Sequence, residues 1–256
     1  MTKYIASCSF GKDSIATILL AHENNEPLDL IIWSEVMFDE NISGELPEHV
    51  DFIYNKAIPK LKELGYPVKV LRAKETYTSC FYHKLTRSRN NPERIGKHAG
   101  FPLSSMCVIN RDCKVKPIRR FLKVIKKLTD ENIVQYIGIA IDEPKRLARL
   151  TDDKVSLLAK YNYTERMAYE LCEKYDLLSP VYKTSSRGGC WFCPNGKPKE
   201  QVEFRKNYPN LWEKLAFLSK TDNLVSTKFN RTKTFEELNE FLDKKEEEWN
   251  IQQNIS

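Results

Sequence analysis

Residues 9–14, SFGKDS, carry side chains whose types and spacing suit the binding of phosphate. The segment follows an apolar stretch and precedes a helical pattern, which predicts a loop between a strand and a helix. The first N–H groups of a helix have no partner within the helix, and a phosphate placed there satisfies them. Glycine allows close approach of the backbone, serine hydroxyls donate hydrogen bonds and lysine neutralises charge. The candidate phosphate-binding residues are Ser7, Ser9, Gly11, Lys12 and Ser14.

Asp13 admits two roles in this loop, because its carboxylate can cap the following helix or orient a metal ion or a water molecule. The loop has neither the GxxxxGK(S/T) spacing of Walker-type nucleotide sites nor the GxGxxG of dinucleotide sites. These residues alone therefore allow two interpretations: a phosphate site, or an ordinary strand-to-helix turn capped by Asp13.

Four cysteines have a spacing that suits metal binding. Cys190 and Cys193 form a C-x-x-C turn between glycines and a proline, and Cys107 and Cys113 lie at the end of a long irregular segment. Four thiolates from two such segments suit a tetrahedral zinc ion or an iron–sulfur cluster. The alternatives are a redox pair at the C-x-x-C turn and burial of Cys107 and Cys113 as small apolar residues.

The other three cysteines are not assigned to this set. Cys172 falls on the apolar face of a helical pattern and Cys8 ends the first predicted strand, so both are predicted to be core residues. Cys80 fits either environment. The total of seven is odd and no secretion signal is visible, which argues against a disulfide framework.

Carboxylates follow two of the predicted strands, where open parallel sheets bind their ligands. Asp39, Asp142 and Glu143 are therefore expected to converge near the glycine loop, where they can hold Mg²⁺ on phosphates. Arg146 follows them and suits phosphate or sulfate, or an exposed salt-bridged helix. A basic loop further along the chain can grip a polyanionic acceptor or form a solvated lid. Its basic residues are Lys84, Arg87, Arg89, Arg94 and Lys97, next to Phe81 and Tyr82.

The elements that must position these residues alternate between strands and helices, which is typical of a parallel sheet. The predicted strands are Tyr4–Cys8, Leu28–Met37, Val68–Leu71 and Val134–Ile141. The predicted helices are Ser14–His22, Pro47–Gly65 with a kink at Pro59, one through Ile118–Leu128, one capped by Thr164 and a last one capped by Thr234 and Glu237. This pattern predicts an α/β fold of the Rossmann-like class with flanking helices and a small C-terminal helical extension.

Composition sets further limits. With 256 residues and 41% hydrophobic side chains, the chain suits one large domain with a small appendage, predicted here as 1–185 and 186–256. No run of about 18 apolar residues occurs, so we expect a cytoplasmic protein without a membrane partner. The net charge of +6 suits an anionic ligand such as a nucleotide and is compatible with nucleic acid.

SFGKDS resembles the PP-loop of the ATP pyrophosphatase, or adenine nucleotide alpha hydrolase, superfamily, in particular its phosphoadenosine phosphosulfate (PAPS) reductase branch. ELPE at 45–48, KVKP at 114–117 and GIAIDEPKR at 138–146 resemble further motifs of that branch in the same order. Ala140 stands where the last motif has arginine. The resemblance covers roughly residues 3 to 195 and implies a fold of the type shared by such nucleotide-binding enzymes, often called HUP.

The resemblance implies that the loop binds the phosphates of ATP, or of adenylylsulfate (APS) or PAPS, with Mg²⁺, and that chemistry occurs at the alpha phosphorus. The expected catalytic residues are Lys12, Asp13 and Asp39. The expected nucleotide-binding residues are Ser7, Ser9, Phe10, Gly11, Lys12, Asp13, Ser14, Asp142, Glu143 and Arg146. Related adenylylsulfate reductases hold [4Fe-4S] on comparable cysteines, which implies a cluster, with zinc as the alternative, on Cys107, Cys113, Cys190 and Cys193.

Three functions follow from these expectations. The first is an adenylyl-transfer enzyme that releases pyrophosphate and passes an adenylyl group or sulfur to an unknown acceptor, which nucleic acid would fit. The second is a true sulfonucleotide reductase. Such reductases use a cysteine near the C-terminus as nucleophile, and the segment EEEWNIQQNIS contains none, which argues against this function. The third is a non-enzymatic, nucleotide-dependent module that binds nucleic acid or protein.

Overall fold

The computed structural model describes residues 2–102, 107–185 and 188–255. Its strands are β1 (Thr2–Ser7), β2 (Leu30–Glu35), β3 (Val68–Arg72), β4 (Asn132–Ile137) and β5 (Lys154–Val155). Its α-helices are α1 (Lys12–Glu23), α2 (Pro47–Phe52), α3 (Ile58–Glu63), α4 (Tyr77–Phe81), α5 (Lys116–Thr129), α6 (Pro144–Leu147), α7 (Leu157–Lys160), α8 (Glu165–Lys174), α9 (Pro198–Asn207), α10 (Pro209–Ser219) and α11 (Phe235–Ile255). Short π-helices span Ile53–Ala57 and Asn110–Val115, and 3₁₀ turns span Pro92–Arg94 and Pro180–Lys183.

The chain forms two compact units. The first, here called the sheet unit, consists of residues 1–35, 45–73 and 114–188. The second, the cysteine unit, consists of residues 36–44, 74–113 and 189–256. The last segment of the cysteine unit begins at residue 189, three residues after the predicted start at residue 186. Residues 36–44 and 74–113, which the prediction placed in the first domain, also belong to the cysteine unit. Within the described ranges, no helix is long and apolar enough to cross a membrane.

All strands of the sheet unit are parallel, in the order β3-β2-β1-β4-β5. The predicted α/β class with flanking helices is therefore confirmed. The strand order reverses direction at β1, because the chain leaves β1 toward β2 on one side while β4 pairs on the other. Ligands of open parallel sheets bind beyond the carboxyl ends of the strands at such a switch point. This edge between β1 and β4 is where a ligand is expected.

The core of the sheet unit is centred on helix α1 and strand β2, which are buried over almost their whole length. In α1, every residue from Ser14 to Ala21 is buried, because the helix is covered by the sheet and by helices α7 and α8. The predicted helix from Pro47 is interrupted by the π-helix Ile53–Ala57 and restarts with Pro59 in the first turn of α3, as expected of a proline. Gly65 follows with a φ of +95°, the left-handed conformation that ends helices.

The cysteine unit is built from helices and loops. The last helix begins with the predicted capping box: the Thr234 N–H donates to Glu237 Oε2 at 2.7 Å, and the Glu237 N–H donates to Thr234 Oγ1 at 3.2 Å. Its core is largely aromatic, with Phe229 and Phe235 at a ring distance of 5.4 Å and Trp212 at 4.9 Å from Phe235. This packing confirms the helical character predicted for the C-terminal region.

Candidate functional site

The glycine loop lies at the switch point of the sheet. It follows β1 directly, and the segment that follows β4 packs against it at Gly138. A Cβ added to Gly138 would lie 2.7 Å from the backbone carbon of Asp13 and 2.7 Å from the backbone nitrogen of Ser14. Only glycine permits this approach of two backbones. The motif that begins at Gly138 therefore fixes the position of the loop.

Hydrogen bonds within the loop hold it in one conformation. The Ser9 N–H donates to Ser14 Oγ at 3.2 Å, and Ser14 Oγ donates to the Gly11 carbonyl at 2.9 Å. Phe10 has a φ of +58°, an uncommon value for a residue with a side chain. Its ring is buried and packs edge-on against Trp33 at 5.4 Å. Of the predicted nucleotide contacts, Phe10 can therefore offer only its backbone.

Helix α1 starts without a side-chain cap. Its N-cap residue is Gly11, and no side chain caps the helix. The predicted capping by Asp13 is wrong, because Asp13 lies inside the first turn and its carboxylate accepts a hydrogen bond from Lys12 Nζ at 2.8 Å. An uncapped, glycine-led helix start leaves its N–H groups for another partner.

One of those N–H groups is held by a tyrosine that the sequence did not point out. The Lys12 N–H donates to the Tyr182 hydroxyl at 2.9 Å, and a Cβ on Gly11 would lie 3.0 Å from the same oxygen. Burial raises the pKa of Tyr182, so its hydroxyl stays neutral at the helix start. Its position in the 3₁₀ turn Pro180–Lys183, remote in sequence, explains why no local pattern predicted it.

His49 is a second residue that the sequence did not point out. It is buried, its Nδ1 lies 2.7 Å from Ser179 Oγ, and its ring also hydrogen bonds to the Ser9 backbone. Burial lowers its pKa, so the ring is neutral at physiological pH. It lies one residue beyond the ELPE motif and thereby ties helix α2 to the glycine loop.

Lys12 is engaged with two carboxylates. Its Nζ lies 2.8 Å from Asp13 Oδ1 and 2.8 Å from Glu165 Oε2. Burial disfavours the ammonium, but the hydrogen bonds to Asp13 and Glu165 outweigh it and raise the pKa of Lys12. Burial, with the like charges of Glu165 and Glu143, also raises the pKa of Asp13 despite the nearby lysine. A ligand phosphate would have to compete with these carboxylates for Lys12.

The carboxylates after β4 lie beside the loop as a local group. Asp142 Oδ1 accepts a hydrogen bond from the Glu165 N–H at 3.2 Å, and Glu143 is close enough to raise the pKa of Asp13. Arg146 forms an ion pair with Glu143, three residues before it. The structure thus brings Asp13, Asp142 and Glu143 together at one edge, and Arg146 follows them in the salt-bridged form.

Asp39 belongs to the cysteine unit, unlike the other carboxylates of the predicted site. Its Oδ1 accepts hydrogen bonds from the Asn41 N–H at 2.9 Å and the Ile42 N–H at 2.8 Å, which closes a turn. The catalytic role expected of Asp39 stays a prediction.

Two motifs that are distant in sequence meet in the sheet unit. Glu45 of the ELPE motif is buried, and its Oε1 lies 3.7 Å from Nζ of Lys114 in the KVKP motif. Pro47 occupies the first turn of α2 and Lys116 begins α5, so both motifs stand at helix starts.

The C-x-x-C turn is held by aromatic side chains of the cysteine unit. Trp191 donates its backbone N–H to the Gly44 carbonyl at 2.9 Å and its Nε1–H to the Ser43 carbonyl at 2.8 Å. The Phe192 ring lies 4.2 Å from the Tyr77 ring. A Cβ on Gly44 would lie 3.0 Å from Phe192, so the turn packs closely on that backbone. The two residues between the cysteines therefore anchor the turn.

Tyr77 lies among three of the predicted metal ligands. It is fully buried, and its hydroxyl has no hydrogen-bond partner among the described residues. Burial, with negative charge on Cys107, Cys193 and Cys190, raises its pKa well above the ordinary value. An orphaned buried hydroxyl costs about 1–3 kcal/mol in most proteins, so its persistence next to thiols indicates a missing partner.

Cys113 has a different set of neighbours. It is buried, its Sγ donates to the Glu75 carbonyl at 3.3 Å, and its thiol also hydrogen bonds to Cys80. The bond from Cys113 lowers the pKa of Cys80, and the same contact, with burial, raises the pKa of Cys113. Glu75 Oε2 is buried without a partner in the described part of the chain. Cys80, undecided from sequence, is therefore part of this cluster.

As arranged, the thiols do not form a coordination site. In residues 2–102, 107–185 and 188–255, no group of three or more His, Cys, Asp or Glu side chains could hold a metal ion. All four predicted ligands lie in one unit, and three of them adjoin one buried hydroxyl. Soft thiolate donors suit zinc or an iron–sulfur cluster. The donor types fit such a group, and the cysteine sulfur atoms would have to move closer together to bind it.

Two other cysteines are core residues of the sheet unit, as predicted. Cys8 and Cys172 are buried, and burial raises the pKa of Cys8 to about 11 and that of Cys172 to about 12. The Cys172 thiol donates to the Lys12 carbonyl at 3.2 Å. Both residues thus belong to the buried core on which the glycine loop packs.

Comparisons with known proteins give the following matches. No family model matches the sequence. A protein of Methanocaldococcus jannaschii, named Uncharacterized protein MJ0066, is 24% identical over 218 residues, covering 80% of this chain and 39% of that protein. The chain thus spans about two fifths of the length of this relative. A solved structure, the U34-tRNA thiolase NcsA from Methanococcus maripaludis with its [4Fe-4S] cluster, matches with a TM-score of 0.39 and 15% identity, over 86% of this chain and 73% of that chain.

Proposed function

We propose that the chain is an enzyme of the PP-loop ATP pyrophosphatase superfamily, similar to its PAPS reductase branch, that acts at the alpha phosphorus of ATP. The observation that carries this proposal is the glycine loop at the switch point of the sheet, fixed by Gly138 and leading into an uncapped helix. Backbone N–H groups at such a place bind phosphate without any special sequence spacing.

In the proposed reaction, a nucleophile on the acceptor attacks the alpha phosphorus and pyrophosphate leaves. The N–H groups at the start of α1 and the hydroxyls of Ser9 and Ser14 contact the phosphates, and stabilise the charge that develops on them. Lys12 moves from its carboxylates to the leaving pyrophosphate. That movement frees Asp13, which would close up with Asp142 and Glu143 to hold Mg²⁺ on the phosphate oxygens, because the three carboxylates do not form a metal site as arranged.

The cysteine unit adds a metal group to this proposal. We assign its ligands to Cys107, Cys113, Cys190 and Cys193, of which three adjoin the Tyr77 hydroxyl. A [4Fe-4S] cluster, or zinc as the alternative, would supply a Lewis-acidic metal when bound. Tyr77 would then donate its orphaned hydroxyl hydrogen to a sulfur of that group. In the finer form of the proposal, a thiol or a sulfur carrier supplies sulfur that attacks the adenylylated acceptor, and AMP leaves with the acceptor oxygen.

The test is release of pyrophosphate and AMP from ATP and Mg²⁺ with a panel of sulfur carriers, small thiols and RNA. We expect turnover by the wild-type protein and a loss of about 100-fold or more in Asp13→Asn, because that carboxylate holds the metal and Lys12. Asp176→Asn is the matched control, since Asp176 is an exposed carboxylate of the same unit paired with Lys56.

Two outcomes would replace the proposal. Release of sulfite from APS or PAPS with a reductant would indicate a sulfonucleotide reductase. Binding of ATP with no turnover against any acceptor would indicate a nucleotide-dependent interaction module.

A further inference from the structure

The cysteine unit contains a cavity that neither the glycine loop nor the cysteines account for. Its volume is about 650 Å³, which is within the usual range for small-ligand sites. Helix α10 forms one wall, and the end of α4 with the turn at residues 38–39 forms the other. The lining residues used below are Phe38, Thr78, Tyr82, Asn210, Lys214 and Phe217.

The lining combines aromatic and polar side chains. Phe217 is 70% exposed and Tyr82 is 38% exposed, although large aromatic side chains are normally covered. The polar lining consists of a hydroxyl, an amide, an ammonium and two carboxylates, from Thr78, Asn210, Lys214, Asp39 and Glu213. A carboxylate accepts a hydrogen bond from the amino group of a base but repels a phosphate, so the cavity suits the base and not the backbone. A planar ring with polar edges matches this combination, because its faces pack on aromatic rings while its edge meets donors and acceptors.

The cavity opens next to the basic loop. The loop leaves and returns at the cavity wall: the His83 carbonyl accepts from the Ala99 N–H at 2.9 Å, and His98 Nδ1 lies 2.7 Å from the Tyr82 carbonyl. Lys84, Arg87 and Arg89 are exposed, and no ion pair is present for them in the described part of the chain. Unpaired cations beside an aromatic pocket suit a phosphodiester chain.

The cavity is separated from the C-x-x-C turn by one aromatic side chain. Phe38 lines the cavity, and its ring lies 4.7 Å from Trp191 and 5.3 Å from Tyr77. A ring bound in the cavity would therefore lie one layer from the residues that anchor the proposed metal ligands.

We infer that this cavity binds an unpaired nucleobase of a single-stranded nucleic acid, whose backbone phosphates contact the basic loop. The base stacks on Phe217 and Tyr82, and its edge meets Thr78, Asn210 and Lys214. The inference rests on the proposed function in that it names the class of its acceptor.

The test is fluorescence anisotropy with labelled, mixed-sequence 12-nucleotide RNA and DNA, single- and double-stranded, from low to moderate salt. ATP and Mg²⁺ are omitted, so the result does not depend on the proposed chemistry. We expect single strands to bind more tightly than duplexes, and Phe217→Ala to weaken binding by roughly tenfold without changing the salt dependence. RNA and DNA arms show which sugar is accepted, since only RNA offers the 2′-hydroxyl.

Charge is tested separately from stacking. The double variant Arg87→Gln, Arg89→Gln is expected to reduce the slope of log affinity against log salt by about 1.4, at about 0.7 per phosphate contact on a single strand. Lys126→Gln with Lys127→Gln is the matched control for charge, and Leu128→Ala, which is 79% exposed, is the control for an exposed apolar side chain. Both control variants lie on α5 of the sheet unit and should bind as wild type.

Two results would overturn the inference, and a third would separate it from the proposed function. Equal binding of duplex, single strand and heparin, with no effect of Phe217→Ala, would reduce the surface to a charged patch. If the protein turns over ATP with another acceptor but binds no nucleic acid, the proposed function stands and the inference that the cavity binds a nucleobase is wrong. If the protein binds single strands as expected but does not turn over ATP, nucleobase binding by the cavity is supported and the proposed reaction is wrong. Thermal unfolding of each variant excludes loss of fold as the cause.

Discussion

The glycine loop and the cysteine set differ in how completely each is arranged before a ligand arrives. The loop is fixed by the contact of Gly138 with Asp13 and by the hydrogen bonds of His49 and Tyr182. The four predicted metal ligands lie in one unit and three of them adjoin the Tyr77 hydroxyl, yet they do not form a coordination site.

The difference follows from the atoms that each site uses. A phosphate site is built largely from backbone N–H groups, whose positions are set when the sheet and helix fold. A metal site brings together thiolates that repel each other, so the ion itself supplies the free energy that closes it. The loop should therefore be sensitive to packing, and the cysteine set to removal of the ion.

The largest expected effect follows from substitution of Gly138. Gly138→Ala would place a methyl group 2.7 Å from the backbone of Asp13 and Ser14, so the loop must move. We expect ATP binding to be lost and the free energy of unfolding to fall by about 1–3 kcal/mol. Titration calorimetry with ATP and denaturant unfolding measure the two effects.

Gly188→Ala is the matched control, because nothing lies within 4 Å of a Cβ at that position in the same unit. It should bind ATP and unfold as the wild type does. Normal ATP binding by Gly138→Ala would show that the contact between the two segments is dispensable, and would remove the main support for a preorganised loop.

The second effect concerns metal content. In anaerobically purified protein, Cys190→Ser and Cys193→Ser are each expected to lose most of the bound iron or zinc, because a hydroxyl is a far weaker ligand than a thiolate. ATP affinity should stay within about twofold of wild type, since these residues belong to the other unit. Elemental analysis, sulfide analysis and absorption spectra give the result.

Cys172→Ser serves as the control, because that thiol is buried in the sheet unit and should not hold metal. About four irons with sulfide indicate a cluster, and one zinc excludes it. Wild-type protein that contains neither metal would contradict the assignment of these cysteines.

The third effect is the reactivity of the thiols. The pKa values of about 11 for Cys8 and about 12 for Cys172 leave on the order of a thousandth or less of either thiol ionised at pH 8. Cys107 is exposed, so in metal-free protein it should react with iodoacetamide at least about 100-fold faster. Peptide mass spectrometry over time follows each cysteine. Equal rates for Cys172 and Cys107 would mean that the base of the glycine loop opens frequently.

The sequence predicted the fold well because its signals are local. Pro47, Gly65 and the Thr234–Glu237 capping box each act within a few residues, and each was found where expected. The apolar runs located the strands, although β4 ends at Ile137 and not at the predicted Ile141. The two-residue strand β5 was missed, because so short a strand has no periodicity of its own and depends on pairing with β4.

The site was predicted less completely because its contacts are long-range. Tyr182 reaches Lys12 across 170 positions, and His49 reaches Ser179 across 130. No spacing rule links such residues. Capping by Asp13, one of the two roles left open from the sequence, was also wrong for a long-range reason, since Lys12 lies between Asp13 and Glu165 of helix α8.

The smallest expected effect tests how Lys12 is released to a ligand. Lys12 Nζ is bonded to Glu165, which is about half exposed, so the ion pair contributes only about 0.2–1 kcal/mol. Glu165→Gln removes one negative charge beside the loop and frees Lys12 for phosphate. We expect pyrophosphate, measured by calorimetry without Mg²⁺, to bind about two- to fivefold more tightly. Glu170→Gln is the control, because Glu170 lies on the same helix and pairs with Arg166 on the surface. If Glu165→Gln instead weakens binding, and does so only when Mg²⁺ is present, Glu165 is one of the metal ligands. Part of the phosphate site would then form only when the metal binds, and the loop would be less preorganised than its packing indicates.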